Sequence, residues 1–524
     1  MLTHIHGAKC IGIDAVEVTA EIDIDRGIGI HLVGLADVAV KESLLRTTTA
    51  LEALGFHIPG KRIVINLAPA DLRKNGSGYD LPIAIGIIAA SGQRELPRAQ
   101  RFIMMGELGL DGSVRAIPGA LPFAEMARSA GYEGVILPIE SALEAAEFTD
   151  MQVFGVEGLA DVVRILEGTE PCEELLIWNT QRYRRIHRAR MACTALPASV
   201  DLADIIGQEG AKRGIEIAAA GGHNIIMVGA PGSGKSSLAR AMAGILPPMT
   251  MEEALVTSKI YSVAGRSNAQ DGLIRQRPFR APHYSASLPA IVGGGGGDSI
   301  LPGEVSLAHN GLLFLDELGQ MPKSVIEALR GPIEDREVCI SRLKAKVCFP
   351  SSFMLVAASN PCPCGYYGEG DRCTCTPTQR HSYLGKLSGP IMDRIDLHVW
   401  MHPVPADRIV RSQKAEPSAA VAARVLKARI AQKHRFAGEG GIATNAEMGT
   451  RQIERLCPLS ENCRTTLEKL MRKLGFSMRA YYRIIKVART IADLEGADDI
   501  LPSHLLEAAS FRFLDRRDLH EIIQ

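Results

Sequence analysis

Gly229-Ala-Pro-Gly-Ser-Gly-Lys-Ser236 fits the pattern GxxxxGK[ST] in full. It follows the apolar run Ile225-Ile-Met-Val228 and opens a helical stretch from Ser236 into Leu238 to Met242. A strand that turns through glycines into a helix N-terminus aims backbone N–H groups and favourable partial charge at one point, the requirement of a bound triphosphate. Gly229, Ala230, Pro231, Gly232, Ser233 and Gly234 would form the cradle, and Lys235 would reach the outer phosphates. Ser236 would contact a magnesium ion, with Ser237 beside it at the helix start. ATP and Mg2+ are therefore the expected cofactors.

Gly311-Leu-Leu-Phe-Leu-Asp-Glu317 follows about eighty residues on. An all-apolar strand suits a parallel sheet covered on both faces. At its end, Asp316 can hold magnesium through water and Glu317 can polarise the attacking water. Alone, two carboxylates could be a solvated strand end; beside a phosphate loop they read as catalytic. A further hydrophobic strand, Phe353 to Ala358, runs into Ser359-Asn360. The Asn360 amide either orients the attacking water or caps a turn.

Farther out, 524 residues exceed what one hydrophobic core holds and indicate two to four domains. With 46% hydrophobic and 23% charged residues the chain reads as an ordinary soluble protein. No apolar run approaches the roughly 18 residues that span a bilayer, and the start MLTHIHGAKCIGID lacks the pattern of a secretion signal. A cytoplasmic location without membrane partners is expected. Lys+Arg and Asp+Glu balance at 59 each, so any nucleic-acid surface must be local. The layout reads as an α/β domain over 1–175, a basic linker over 176–203 containing QRYRRIHRAR, an α/β core over 204–404, and a helical domain over 405–524. In the first domain, Ala15 to Ile22 and Lys61 to Leu67 read as strands, and Val38 to Leu54 and Leu121 to Ser129 as helices. In the last, Tyr481, Ile484, Ile485, Ala488 and Ile491 share a helical face. The glycine run 293–297 predicts a mobile loop.

Eleven cysteines in a cytoplasmic chain point to free thiols or metal ligands rather than disulfides. Cys362-Pro-Cys364 and Cys373-Thr-Cys375 form two CxC pairs. Four thiolates can complete a closed, structural, tetrahedral zinc shell. Reduced free thiols or a redox-sensitive cluster are the alternatives.

The stretches DIIGQEGAKRGIEIAAAGGHNIIMVGAPGSGKS, RPFRAPHYSAS, LPGEVSLAHNGLLFLDEL, AASNPCPCGY, LSGPIMDRIDLHV and FSMRAYYRIIKVARTIADL resemble the magnesium-chelatase-like AAA+ ATPases, and the whole chain resembles the ComM/YifB branch of that family. Tyr284 departs from the pattern, which usually has a second histidine after His283. The resemblance implies an α/β multidomain fold: a Lon-protease-like α/β N-terminal domain, an AAA+ P-loop α/β core and a helical C-terminal lid. It makes Asn360 sensor 1, Arg394 the arginine finger and Arg479 sensor 2. A guanidinium suits such work because it stays charged and donates parallel hydrogen bonds to phosphate oxygens. A finger serves the neighbouring subunit's ATP, so a homo-oligomeric ring is implied, expected to be a hexamer.

The segment from Met105 to Ala120 resembles the Lon catalytic domain, with Lys74 to Asp80 where that domain carries its serine. Registering the two puts Gly78 at the serine position and Leu121 at the lysine position, so a peptidase is not expected. The domain is similar to the one in the recombination protein RadA and would be an inactive scaffold, either for oligomerisation or for DNA contact. Residues from Asp335 to Phe349 read as a hairpin with Arg342, Lys344 and Lys346 at its tip; in related helicases such a hairpin grips the phosphate backbone without sequence preference, whereas alone it could be merely solvated. Arg182 to Arg190 is a second candidate for DNA. The resemblance thus implies a DNA motor for branch migration in homologous recombination and natural transformation, on branched or duplex DNA. The alternative is a magnesium-chelatase-type subunit driving metal insertion into a porphyrin.

Overall fold

The computed structural model describes residues 2–34, 37–192, 200–267, 272–295, 300–342, 345–368, 372–387, 391–404 and 415–515. Alternating side chains build the N-terminal sheet: Val18, Ala20 and Ile22 on one strand and Ile63, Ile65 and Leu67 on another point inward. Its strands are β1 (Thr3–Ile11), β2 (Asp14–Asp25), β3 (Gly29–Val33), β4 (Arg62–Ala68) and β5 (Phe102–Met104), followed, after a small hairpin of β6 (Glu107–Leu108) and β7 (Val114–Arg115), by β8 (Gly134–Pro138) and β9 (Gln152–Val156). The order is β3-β4-β2-β1-β5-β8-β9. β2 runs antiparallel to both β1 and β4, whereas the β1–β5–β8–β9 half is parallel. The helix Asp80–Ala90 is buried along nearly its whole length. It lies so close to the sheet that a Cβ on Gly86 would meet Ile22 Cδ1 at 2.2 Å.

The second sheet is parallel throughout. Its strands are β10 (Ile225–Gly229), β11 (Phe279–Arg280), β14 (Leu312–Leu315), β17 (Met354–Ser359) and β18 (Leu397–Met401), in the order β11-β14-β17-β10-β18. Two short pairs accompany it: β12 (Gly293–Gly294) with β13 (Leu301–Pro302), and the hairpin β15 (Glu337–Arg342) with β16 (Ala345–Pro350). Every residue of β10 is buried. Ile225 and Met227 face a core shared with the C-terminal helices, while Ile226 and Val228 face a second core on the other side. In the helix Met478–Glu495, Ile484, Ile485, Ala488 and Ile491 are buried, and Tyr481 is half-buried at the edge of the same core. Among the described residues no helix is long and apolar enough to cross a membrane.

Two expectations are corrected, on the glycine run and on the cysteines. The start of the glycine run is not loop: Gly293 and Gly294 pair with Pro302 and Leu301, and the residues 296–299 lie outside the described set. Within the basic linker stretch lies the helix Gln181–Ala192, with Tyr183 and Ile186, three residues apart, packed on the N-terminal core and Arg182 bonded to Glu140 at 2.9 Å. Cys339 and Cys348 form a disulfide, because the hairpin register sets them directly opposite one another.

The two α/β units meet through the helices Ala120–Ser129 and Met251–Val263. Gly119 N–H donates to Ser262 O at 3.0 Å, and the Ser262 hydroxyl donates to Glu144 at 2.5 Å. Lys259 is held between Asp14 and Glu125, each at 2.6 Å. Burial pushes the Glu144 carboxyl up to about 7, against hydrogen bonds from Ser262, Ser267 and the Leu121 amide that favour its ionised form.

Candidate functional site

The strand β10 ends at Gly229 and the helix Lys235–Ile245 begins six residues later. Between them Gly232 (φ +78°) and Gly234 (φ +93°) adopt left-handed backbone that side-chain-bearing residues resist, which turns the loop back over the helix N-terminus. The Lys235 ammonium donates to Gly229 O at 2.6 Å, Ala230 O at 2.9 Å and Asn360 Oδ1 at 3.3 Å. Burial holds its pKa below the ordinary lysine value, opposed by the charges of Asp316 and Glu317. The Ser236 hydroxyl donates to Asp316 Oδ2 at 3.1 Å. Asp316 Oδ1 accepts from Glu317 N–H at 2.9 Å, and Glu317 itself sits at φ +52°, an uncommon conformation for a residue bearing a side chain. Ser233 is buried, while Pro231 and Ser237 are exposed. The ends of three adjacent strands, β10, β14 and β17, thus bring Lys235, Ser236, Asp316, Glu317 and Asn360 to one edge of the sheet, where open α/β sheets bind ligands.

Arg394 and Arg479 are not at that edge. They line a polar cleft of about 680 Å³ with Asn224, Met354 and Asp396, residues at the starts of β10, β17 and β18. Five strand residues at about 3.3 Å each separate the two ends by about 16 Å. Arg394 is held by Glu334 on the helix Arg330–Asp335, and Arg479 by Asp393 at 2.5 Å. Glu334 and Asp393 escape a sequence reading, since carboxylates there carry no motif.

Cys362, Cys364, Cys373 and Cys375 converge with all four sulfurs within 4.8 Å of one another. Cys362 to Cys364 is 3.3 Å, Cys362 to Cys373 3.8 Å and Cys364 to Cys373 3.7 Å. Four sulfurs at about 2.3 Å from a zinc ion lie about 3.8 Å apart, so the residues fit a tetrahedral metal. Cys364 N–H donates to Cys375 Sγ at 3.4 Å, a bond suited to a ligating thiolate.

Of the hairpin residues, Lys346 is exposed on β16, Arg342 ends β15, and Lys344 lies outside the described residues. The hairpin rests on the N-terminal domain: a Cβ on Gly12 would come within 2.9 Å of Cys348 O. His283 bonds Ser285 at 2.7 Å, and its ring lies tilted against that of Tyr284 with centroids 4.2 Å apart. In the N-terminal domain the Ser77 hydroxyl bonds Glu107, Lys74 gives its ammonium to the Pro69 carbonyl, and buried Leu121 packs in the helix against Ser262.

Comparison with known proteins decides the family. Residues 201–409 match magnesium chelatase, subunit ChlI; residues 20–141 match subunit ChlI of Mg-chelatase; and residues 415–512 match the ChlI C-terminal family. The competence protein ComM of Haemophilus influenzae is 42% identical over 518 residues, covering 98% of each chain. The chain belongs to the ComM/YifB family of magnesium-chelatase-like ATPases. YifB of Salmonella typhimurium is likewise 42% identical, over 99% of this chain and 98% of its own. An archaeal Lon protease from Methanocaldococcus jannaschii is 24% identical over 145 residues, 28% of this chain and 22% of that protein. A Lon-like α/β domain, an AAA-type parallel core and helical C-terminal domain make up the fold, and family membership implies ATP hydrolysis.

Proposed function

We propose that the chain is a ring-forming ATPase that moves DNA junctions, a branch-migration motor serving recombination and natural transformation. One observation carries the reading: the phosphate loop with its two acids and the pair Arg394 and Arg479 occupy opposite ends of one sheet. With strands about 16 Å long between the two ends, the pair is better placed to serve the phosphate loop of a neighbouring copy than its own. Neighbours placed head to tail form a ring where the rotation between them closes, with six the expected number.

Lys235 and the loop amides would bind the ATP phosphates, and Ser236 and Asp316 would hold Mg2+, which supplies charge neutralisation when bound. Glu317 accepts a proton from the attacking water, and Asn360 orients it. Arg394 and Arg479 of the next subunit stabilise the charge that builds on the terminal phosphate. The four cysteines hold a structural zinc ion. Arg342, Lys344 and Lys346 contact backbone phosphates, a sequence-independent grip. The Haemophilus relative is named a competence protein, in keeping with a role in natural transformation.

The test is ATP-dependent migration of a synthetic four-way junction, compared with plain duplex and with a Glu317→Gln control. Migration abolished by Glu317→Gln supports the motor. The family's match to magnesium chelatase keeps the porphyrin-metallation reading as the rival; ATP turnover indifferent to any DNA would favour it.

A further inference from the structure

We infer that the four-cysteine cluster is a metal-dependent buttress of the phosphate loop, so that zinc and nucleotide bind this chain cooperatively. The inference rests on the zinc reading above and goes beyond it by giving the metal a partner inside the nucleotide site.

Two contacts connect the cluster to the ATP machinery. The first runs through Cys362-Pro-Cys364-Gly365. Only Pro361 separates Asn360, which accepts from the Lys235 ammonium, from the ligand Cys362. Gly365 N–H donates to Cys362 O at 3.0 Å, closing a turn around the first two ligands. That turn presses a bare backbone on the phosphate loop: a Cβ on Gly365 would lie 2.9 Å from Pro231 Cδ, 3.0 Å from Cγ and 3.9 Å from Asn360 Cγ. Gly365 is buried although Pro231 is otherwise exposed. The second contact runs through the other pair. Two residues after Cys375 the helix Pro377–Leu387 starts and carries Tyr383, whose hydroxyl borders Gly319 together with the Ser359 hydroxyl. Its ring packs on Gly319, two residues beyond Glu317, where a Cβ would meet Tyr383 Oη at 3.1 Å.

The cluster therefore ties together a turn seated on the phosphate loop and a helix seated on the acidic strand end. Free of metal, the two CxC pairs are joined by the Cys364–Cys375 hydrogen bond and by Arg372 and Arg380 lying over the Tyr366 and Tyr367 rings, and four metal–sulfur bonds offset the entropy of holding them together. Whatever holds the turn in place also holds Pro231 and Asn360. Linkage is reciprocal: if zinc improves nucleotide binding by some factor, nucleotide improves zinc binding by the same factor.

The experiment uses the full-length protein and reads zinc rather than turnover. Zinc per chain is measured by atomic emission. Its release to a chromophoric chelator is then followed with and without a saturating non-hydrolysable ATP analogue and Mg2+. We expect one zinc per chain, release slowed about fivefold or more by the analogue, and weaker analogue affinity once zinc is stripped. Pro231→Ala, which removes the ring atoms under Gly365, should keep the zinc and make its release indifferent to saturating analogue. Absence of zinc would overturn the zinc reading itself. One zinc per chain released at the same rate in both conditions would overturn the coupling alone. Slowing that persists undiminished in Pro231→Ala would overturn the assigned contact.

Discussion

Glu144→Gln should stabilise the protein above neutrality and leave it unchanged in acid. Glu144 lies where the N-terminal domain meets the ATPase core, accepting from Ser262 at 2.5 Å. Burial raises its carboxyl from the ordinary 4.5 to about 7. A group that binds its proton more tightly when folded contributes stability fully present below pH 4.5, declining as pH rises and gone above about 7. The difference of about 2.5 units, at about 1.4 kcal/mol each, makes the ionised form cost the folded chain about 3 kcal/mol near pH 8. Glutamine keeps an acceptor for Ser262 and the Leu121 amide and has no charge to desolvate. The assay is urea unfolding in steps from about pH 5 to 8, read through Trp178, whose indole N–H bonds Ala146 O at 3.0 Å, in a Trp400→Phe background. The native protein should lose stability across this window relative to the variant, by up to about 3 kcal/mol at the top. Identical pH slopes for the two proteins would refute the assignment of a protonated, buried Glu144.

Three further outcomes follow from the same geometry. Lys235→Ala removes the cation that Gly229 O, Ala230 O and Asn360 converge upon, and should lower phosphate release from ATP by about 100-fold or more. Gly311→Ala places a Cβ 2.0 Å from Pro278 O beside the strand that delivers Asp316 and Glu317; about 1–3 kcal/mol of stability should be lost, seen as a lowered melting temperature, and turnover should fall with it. Lys344→Ala with Lys346→Ala should abolish stimulation of ATP turnover by DNA and flatten the salt dependence of DNA binding by about two log units per log unit of salt.

Local chemistry made much of this protein legible in its sequence. The phosphate loop, the apolar strand before it and the acids Asp316 and Glu317 that follow Leu312–Leu315 are contiguous patterns whose physics needs few distant residues, and the structure brings them to one sheet edge. Asn360 reads in the sequence as either a water-orienting amide or a turn cap; its hydrogen bond from Lys235 is visible only in the fold. What depends on register or on distant packing stayed hidden. The pairing of Cys339 with Cys348 requires knowing which hairpin residues face each other. The helix at Gln181–Ala192 was obscured by its arginines, although Tyr183 and Ile186 at helical spacing were the available signal. That Arg394 and Arg479 share a cleft at the far end of the strands, held by Glu334 and Asp393, follows from topology alone. Gly365 and Tyr383 had no motif to announce them; their meaning lies in what they touch.

The account stands most directly on whether one chain's loop is completed by the next chain's arginine. Mixing Lys235→Ala chains with Arg394→Ala chains tests it, since each alone should be nearly inactive and each lacks a different half of the shared site. Random assembly at equal amounts should restore about a quarter of native ATP turnover, because about that share of interfaces would join an intact loop to an intact finger. A mixture as inactive as its components, or Arg394→Ala chains that turn over ATP at the native rate unaided, would contradict it.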